Sequence, residues 1–326
     1  MKVFITGGGG FLGTYIVQKL VKRGYSVTNF SRSRYPHLEN IGVHCVQGDL
    51  NNVDELVAAM KGHEVCFHVA SKVAMWGKKE DFLRTNYKGT QNVIHACKKN
   101  SINKLIYTST PSVVFGEHGF EGESEELPYP KKSYSRYGMS KAMAEKLVLE
   151  SANDEFFTVA LRPHLVFGPG DQNLIPRLVE SARKKKLKMI GNGENKVDVL
   201  YVENAADAHL CALDKMLTHP KLISGQAFFL GQGPVKLWEF INKILIHYGI
   251  DPIDKSNKLS TRLAFTIGKC FEALSSLFGL YNWNPPMTRF VALQLGEHHY
   301  YDHTKAEKLL EWKPKVDLDE ALGRLN

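Results

Sequence analysis

The stretch of sequence that decides the fold is TGGGGFLG, residues 6–13. It follows the apolar run KVFIT of residues 2–6, which predicts a buried strand. It opens the segment FLGTYIVQKLVKRG of residues 11–24, whose apolar stripe at helical spacing predicts a helix. A glycine loop between a strand and a helix puts backbone N–H groups at the positive end of the helix, so this stretch predicts a phosphate site.

Three glycines of this loop, Gly7, Gly10 and Gly13, have the spacing GxxGxxG. The first allows a tight turn, and the second brings the backbone close to a pyrophosphate. The third lets the helix pack closely against the sheet because it has no side chain. The loop therefore predicts that a dinucleotide binds at the first strand.

Outward from this loop, short apolar runs alternate with helical patterns over the first half of the chain. The further predicted strands are SVTNF (26–30), VHCVQGD (43–49), EVCFHVA (64–70), KLIYTST (104–110) and FTVALRP (157–163). The further predicted helices cover residues 53–62, 80–100 with an irregularity at Gly89, and 134–152. Apolar strands that alternate with helices predict an α/β fold, a doubly wound parallel sheet of the Rossmann type.

The pattern becomes irregular from Pro169 onward, where prolines, glycines and turn sequences cluster. Helices are predicted near 202–216, 237–248 and 261–278. The predicted organisation is a dinucleotide-binding domain of residues 1–168, with returning segments near 196–232. The remaining residues, 169–195 and 233–326, are predicted to form a smaller, mainly helical C-terminal lobe that binds the substrate.

The composition, with 43% hydrophobic and 23% charged residues, is ordinary for a globular protein in water. The net charge of +8 comes from scattered cations, which favours a phosphate-bearing ligand and argues against nucleic acid. The five cysteines are odd in number and lack a CxxC pair, so neither a disulfide framework nor a zinc site is expected. No metal site is predicted. The chain starts directly on a strand, and a cytoplasmic location is expected.

The end of the second predicted strand bears on which dinucleotide is bound. A carboxylate there would favour NAD, but NFSRSRYP of residues 29–36 contains neither Asp nor Glu. Ser31, Arg32 and Arg34 stand there instead and suit a 2′-phosphate, so NADP(H) is favoured and NAD(H) is the alternative. The competing interpretation is that these arginines only face solvent. Asp49 and Leu50, after the third strand, are expected to flank the adenine.

The segment YGMSK places Tyr137 and Lys141 four residues apart, on one face of a predicted helix. A nearby ammonium favours the phenolate and is expected to lower the pKa of the tyrosine toward working pH. Upstream, YTSTPS of residues 107–112 ends the fifth strand, and either Thr110 or Ser109 can offer a hydroxyl to a substrate oxygen. This arrangement predicts proton transfer to a carbonyl or from an alcohol.

Taken together, the motifs resemble those of the extended short-chain dehydrogenases/reductases. They are TGGGGFLG, GDL, HVAS, NYKGTQNV, YTSTPSV, YGMSK and LRPHLVFGPGD, and they follow the family's order over about the first 170 residues. YTSTPSV, ALRPHLVFGPGDQNLIPRL and the late HHYYDHTKAEKLLEWKPKVDLDEAL are similar to the 3β-hydroxysteroid dehydrogenase group, which includes the bacterial 2-alkyl-3-oxoalkanoate reductases. The resemblance implies reversible hydride transfer between a nicotinamide and a secondary alcohol or ketone.

The resemblance also implies roles for individual residues. Tyr137 would be the acid/base, Lys141 its electrostatic partner, and Thr110, with Ser109 as the adjacent alternative, the third catalytic hydroxyl. The residues that it implies for the cofactor are Gly7, Gly10, Phe11, Leu12 and Gly13 at the pyrophosphate, Asp49 and Leu50 at adenine, Ala70 and Ser71 along the channel, Asn86 at the active-site helix, and Pro163 and Val166 at the carboxamide. Ser31 stands where an acidic residue would indicate strict NAD use.

The expected substrate is bulky and apolar, a sterol-like or long-chain β-hydroxy or β-keto compound. The apolar segment of residues 263–280 supports this expectation, as a helix that covers an apolar pocket or lies on a membrane surface. A homodimer is expected from the resemblance. Two rivals remain: a nucleotide-sugar epimerase or dehydratase, with Arg177 and the basic run 184–188 at a diphosphate, and a non-catalytic dinucleotide-sensing protein.

Overall fold

The computed structural model describes residues 1–116 and 118–325. Its strands are β1 Lys2–Thr6, β2 Ser26–Ser31, β3 His44–Gln47, β4 Val65–His68, β5 Lys104–Thr108, β6 Phe120–Glu123, β7 Phe157–Pro163, β8 Val166–Phe167, β9 Met189–Ile190, β10 Lys196–Tyr201, β11 Gln226–Leu230, β12 Gln232–Lys236, β13 Lys258–Leu259 and β14 His299–Tyr301.

The α-helices follow the strands in both halves of the chain. They are α1 Phe11–Lys22, α2 Pro36–Glu39, α3 Val53–Ala59, α4 Lys79–Phe82, α5 Gly89–Lys99, α6 Arg136–Glu150, α7 Leu174–Arg183, α8 Val202–Thr218, α9 Pro220–Ile223, α10 Leu237–His247, α11 Thr261–Leu277, α12 Arg289–Gly296, α13 Thr304–Leu309 and α14 Leu318–Gly323. A π-helical turn, Leu83–Lys88, joins α4 to α5, and Pro111–Val113 form a 3₁₀ turn.

Seven parallel strands form the main sheet, in the order β11-β7-β5-β4-β1-β2-β3. β1 is an interior strand and pairs in parallel with both β2 and β4. Its residues after Lys2 are buried, as expected for a strand covered by helices on both faces. The prediction of a doubly wound parallel sheet is confirmed, and each strand predicted before residue 168 is present.

Helices cover the two faces of this sheet with separate apolar cores. On one face, α1 and α8 pack together, and buried residues such as Val17 and Leu213 belong to one cluster. On the other face lie α3, α5 and α6, with buried residues such as Leu56, Val93 and Val148 in a second cluster. The helices leave the carboxyl ends of the strands open at one edge, where ligands bind in sheets of this topology.

The part of the chain after residue 168 contains more strand than the sequence indicates. A second sheet has the order β12-β10-β14-β6, with β8 paired to β10, so it also includes two strands from before residue 168. Within the predicted returning segment, β11 joins the seven-stranded sheet, whereas β10 lies in this second sheet. These strands are short and pair with distant parts of the chain, β6 with β14 among them, so no local periodicity signals them.

The helix predicted over residues 80–100 is interrupted, as expected, but the irregularity lies before Gly89. The π-helical turn of residues 83–88 widens the helix by one residue and ends at Gly89. Asn86, at its centre, is buried. The turn therefore re-aims one polar side chain toward the neighbouring helix α6.

Candidate active site

A cleft with a volume of about 580 Å³ runs along the carboxyl ends of the strands of the main sheet. Its walls are formed by residues that end or follow β1, β2, β3, β4, β5 and β7. The predicted catalytic and cofactor-binding residues line this cleft, except Asn86, which lies behind it, and Arg34, which lies outside it. The strand ends thus bring together residues that are far apart in the sequence.

The glycine loop leaves no room for side chains. Gly7 has a positive φ of 75°, and a Cβ there would lie 2.6 Å from the Ala70 nitrogen. A Cβ on Gly13 would lie 2.1 Å from the Gly7 carbonyl oxygen. The Gly10 N–H donates to the same carbonyl at 3.1 Å, which closes the turn. This backbone cradle, at the start of a helix without acidic residues in its first turn, fits a dinucleotide pyrophosphate.

Two residues that the sequence did not single out hold this loop. The side chain of Asn29, buried on β2, accepts a hydrogen bond from the Gly8 N–H at 2.9 Å. The ring of Tyr35 lies over Gly9, where a Cβ would meet it at 2.3 Å. Tyr35 also lines the cleft. A buried polar residue inside an apolar strand was the signal that could have identified Asn29.

At the other end of the cleft, the residues predicted to select the cofactor separate into two groups. Ser31 and Arg32 line the cleft. Arg34 instead pairs with Glu39 at 3.0 Å and is largely exposed, so its predicted contribution to a 2′-phosphate is not seen. The Asn51 backbone N–H lowers the pKa of Asp49, and the charges of Arg32 and Arg84 lower it further. Arg84 is a second cation of the cleft that the sequence did not indicate.

Helix α6 positions Tyr137 and Lys141. The Ser135 side chain caps the helix by accepting from the Gly138 N–H at 3.0 Å. The Lys141 ammonium donates to the Thr108 carbonyl oxygen at 2.7 Å and lies 4.0 Å from the Tyr107 ring centroid. The cap fixes the first turn of the helix, and the lysine fixes the next turn against the end of β5.

The pKa values of the pair differ from the expectation. Burial raises the pKa of Tyr137 to about 12, while hydrogen bonds with Thr110 and Ser71 lower it in part. Burial lowers the pKa of Lys141 to about 7, while the charge of Glu145 raises it in part. The predicted lowering of the tyrosine pKa by the ammonium is not seen in the protein alone, since the ammonium is directed to the Thr108 carbonyl.

The two hydroxyl candidates have different surroundings. Thr110 hydrogen-bonds with Tyr137, and its oxygen also accepts from the Ser112 N–H at 3.2 Å. The Ser109 hydroxyl is buried and has no hydrogen-bond partner among the described residues. Of the two hydroxyls, that of Thr110 interacts with the Tyr137 side chain.

Asn86 lies behind the cleft and ties three elements together. Its amide donates to the Ser140 hydroxyl at 2.9 Å and to the Lys72 carbonyl at 3.1 Å, and it accepts from the Lys72 N–H at 2.7 Å. Its side-chain oxygen also accepts from the Ser71 hydroxyl at 3.2 Å. Asn86 therefore holds Ser71, one of the two partners of Tyr137, against α6.

Comparison with known proteins agrees with this site. The family model described as 3-beta hydroxysteroid dehydrogenase/isomerase family matches residues 4–260. A 2-alkyl-3-oxoalkanoate reductase of Stenotrophomonas maltophilia (strain K279a) is 40% identical over 328 positions, which cover 100% of this chain and 98% of that protein. A decarboxylating sterol-4-alpha-carboxylate 3-dehydrogenase of Mus musculus is 37% identical over 330 positions, covering 99% of this chain and 89% of that protein.

The chain belongs to the 3-beta hydroxysteroid dehydrogenase/isomerase family. It is an oxidoreductase of the short-chain dehydrogenase/reductase type that acts with a nicotinamide cofactor. The resemblance predicted from the motifs is therefore confirmed. The glycine cradle and the cleft along the strand ends fit the cofactor that members of this family use.

Solved structures with this fold include sugar-nucleotide enzymes. The UDP-glucuronic acid 4-epimerase from Bacillus cereus, in complex with NAD, has a TM-score of 0.76 and 23% identity, and the match covers 99% of this chain and 97% of that one. At this identity the likeness shows the fold alone. In the present protein, by contrast, Arg177 and Lys184–Lys186 are exposed and are not among the residues that line the cleft. The cations invoked for a sugar diphosphate are thus directed to solvent.

Proposed function

We propose that this enzyme transfers a hydride between NADP(H) and carbon 3 of a bulky, apolar 3-oxo or 3-hydroxy acid. The relatives' names share one chemical pattern, since in each the reacting carbon 3 adjoins the carbon that bears the carboxylate. The single observation that carries the proposal is the Tyr137 hydroxyl, which faces the cleft in contact with Thr110 and Ser71. A substrate carbonyl oxygen would bind the Tyr137 hydroxyl in place of Thr110 and Ser71 or together with them.

In the proposed mechanism, the protein moves and stabilises a proton. When bound, the nicotinamide supplies or accepts the hydride. In the reducing direction, Tyr137 donates its proton to the forming alkoxide, and Thr110 orients the oxygen by a hydrogen bond. Lys141, one turn along α6 from Tyr137, would favour the phenolate left behind if its ammonium turned from the Thr108 carbonyl toward the tyrosine. Pro163 and Val166, at the far wall of the cleft, would contact the carboxamide of the cofactor.

The preference for NADP(H) over NAD(H) rests on Arg32. This side chain lines the cleft at the end of β2 and makes no ion pair with another described residue. A guanidinium suits a 2′-phosphate because it donates two parallel hydrogen bonds. Ser31, beside it, donates its hydroxyl hydrogen to the Ser33 carbonyl at 2.8 Å. Because this position holds a serine, it offers no carboxylate that could accept a hydrogen bond from a ribose 2′-OH.

We also propose that the enzyme contacts a lipid surface through its apolar surface, defined as Leu274, Leu277, Phe278, Leu280 and Trp283. These side chains lie at the end of α11 and in the loop that follows, and Leu277 is 77% exposed. Tyr281, in the same loop, stacks on Trp76 with ring centroids 6.4 Å apart. The apolar surface therefore adjoins the segment that carries Ser71 and would receive an apolar substrate from lipid.

Within residues 1–116 and 118–325, no helix combines the length and the apolar character needed to cross a bilayer. The proposed contact is therefore peripheral. The cytoplasmic location and the homodimer stay predictions from the sequence.

Turnover of defined substrates tests the proposed function. Purified enzyme should reduce a 2-alkyl-3-oxo acid with NADPH faster than with NADH, measured by loss of absorbance of the reduced nicotinamide. Replacement Tyr137→Phe should lower kcat by about 10²-fold to 10⁴-fold while NADPH still binds, because only the proton donor is removed. Turnover of a UDP-sugar by an enzyme inert toward oxo acids would refute the proposal in favour of the epimerase alternative.

A further inference from the structure

A buried ion pair joins the active-site helix to the main sheet. Glu145 on α6 and Arg162 on β7 have side chains that are 0% and 3% exposed. The guanidinium donates two hydrogen bonds to the carboxylate, from Nε at 2.9 Å and from Nη2 at 2.7 Å. Tyr129 adds a third donor at 2.9 Å. The carboxylate is thus held on both oxygens.

Stability alone does not account for this pair. Removing two charges from water costs several kcal/mol for each ion, and apolar residues of similar volume are often at least as stable in such places. In addition, Nη1 of Arg162 is buried without a hydrogen-bond partner within the described part of the chain. The reason for this ion pair therefore lies in the residues that it adjoins.

Both members of the pair adjoin residues of the cleft. Glu145 follows Lys141 by four residues, so the two side chains are neighbours on one face of α6. Arg162 directly precedes Pro163, which lines the cleft at the end of β7. The pair consequently links the lysine of α6 to the strand end that forms the opposite wall.

The charge of Glu145 acts on Lys141. Burial lowers the pKa of Lys141, and Glu145 is the group that raises it again. Among the described residues, the other titratable groups near Lys141 or the ion pair are His68 on β4, Tyr107 on β5, Tyr137 on α6, Glu125 and Tyr129 before α6, Tyr301 on β14 and Lys305 on α13. Burial lowers the pKa of His68 to about 3, so this side chain is neutral. Glu145 is the carboxylate whose charge raises the pKa of Lys141.

We propose that Glu145 is a positioning residue that acts through Lys141: from one turn along α6 it places a negative charge near the lysine ammonium and, through Arg162, holds α6 against the strand end at Pro163. This inference rests on the proposed function, because the protonated lysine matters for proton transfer by Tyr137. It assigns the buried pair to the reaction and not to the stability of the sheet.

The test removes both charges together. The double variant Glu145→Leu/Arg162→Met fills the site with apolar side chains of similar size and is expected to fold, as such replacements commonly do. Lys141 then loses its proton at lower pH. The alkaline limb of the kcat/KM profile should move down by about one pH unit. The pH at which NADPH binding weakens, followed by its fluorescence, should move in the same direction.

The matched control is Lys19→Met/Asp207→Leu, which removes a 2.9 Å ion pair between α1 and α8 on the opposite face of the sheet. Its pH profiles should equal those of the unmodified enzyme. Should the Glu145→Leu/Arg162→Met protein fail to fold, the double variant Glu145→Gln/Arg162→Gln, which also removes both charges but keeps hydrogen-bonding groups in the site, takes its place with the same expected shift.

Unshifted profiles in the Glu145 variants overturn this inference, even if the variants are less stable. An unmodified enzyme that turns over no oxo acid contradicts the proposed function instead. In that case the NADPH-binding profile still decides whether Glu145 acts on Lys141.

Discussion

At the scale of single residues, we propose that the hydroxyl beside Tyr137 orients the oxygen that accepts the proton. Thr110 contacts the tyrosine, whereas the Ser109 hydroxyl is buried and without a partner among residues 1–116 and 118–325. Replacement Thr110→Val keeps the shape but removes the donor, and it should lower kcat by about 10²-fold, which is typical of one lost hydrogen bond to a developing oxyanion. Steady-state kinetics with saturating NADPH measures this effect.

The matched variant is Ser109→Ala. Because the Ser109 hydroxyl hydrogen-bonds with no described residue, its removal should change kcat by less than about threefold. If Ser109→Ala is the more damaging of the two, the assignment of the third catalytic hydroxyl must be reversed.

At the scale of the element, the junction between β1 and α1 matters both for the packing of the helix and for the proposed binding of the cofactor. Gly13 lets the first turn of α1 lie against the glycine loop, and a Cβ there would lie 2.1 Å from the Gly7 carbonyl oxygen and 2.9 Å from the Gly8 Cα. Replacement Gly13→Ala should displace the loop. We expect the Kd for NADPH to rise at least tenfold, or about 1.4 kcal/mol, in a fluorescence titration.

Gly323→Ala is a suitable control, since a Cβ at that position has no atom within 4 Å. It should leave NADPH binding unchanged. Equal affinities for Gly13→Ala and Gly323→Ala would show that the loop tolerates a side chain and would contradict the cradle described above.

At the scale of the whole molecule, we propose that the apolar surface brings the enzyme to a lipid surface. The apolar surface comprises the end of α11 and the loop that follows it, and Phe278 is 68% exposed. Arg136, which precedes Tyr137, lies 4.4 Å from the ring centroid of Trp76 and 5.2 Å from that of Tyr281. This stacking connects the loop that carries the apolar surface with the start of the catalytic helix.

The double replacement Leu277→Glu/Phe278→Glu should abolish co-flotation with vesicles of anionic phospholipid, because charged side chains do not enter the interface. Turnover of a short, water-soluble oxo acid should stay within about twofold. Leu217→Glu/Leu222→Glu changes exposed apolar residues near α8 and α9 and should not affect flotation. Equal flotation of the three proteins would refute the lipid contact.

The sequence by itself determined six of the seven strands of the main sheet and most of the residues that line the cleft. Apolar strands, helical periodicity and glycine spacing are local properties, and they predicted each strand from β1 to β5 as well as β7. Residues at strand ends, such as Asp49, Ser71 and Pro163, could be assigned to one site because parallel strands end at the same edge.

Only the tertiary structure decided the remaining features. The pairing of β6 with β14 joins distant segments and has no local signature. The ion pair of Arg34 with Glu39 is local, but the sequence pattern did not show that it turns Arg34 away from the cleft. An irregularity near Gly89 was expected, but the burial of Asn86 in a π-helical turn was not. The pKa values of Tyr137 and Lys141 likewise follow from burial. Burial is a property of the packed molecule, because desolvation depends on every element that surrounds a side chain.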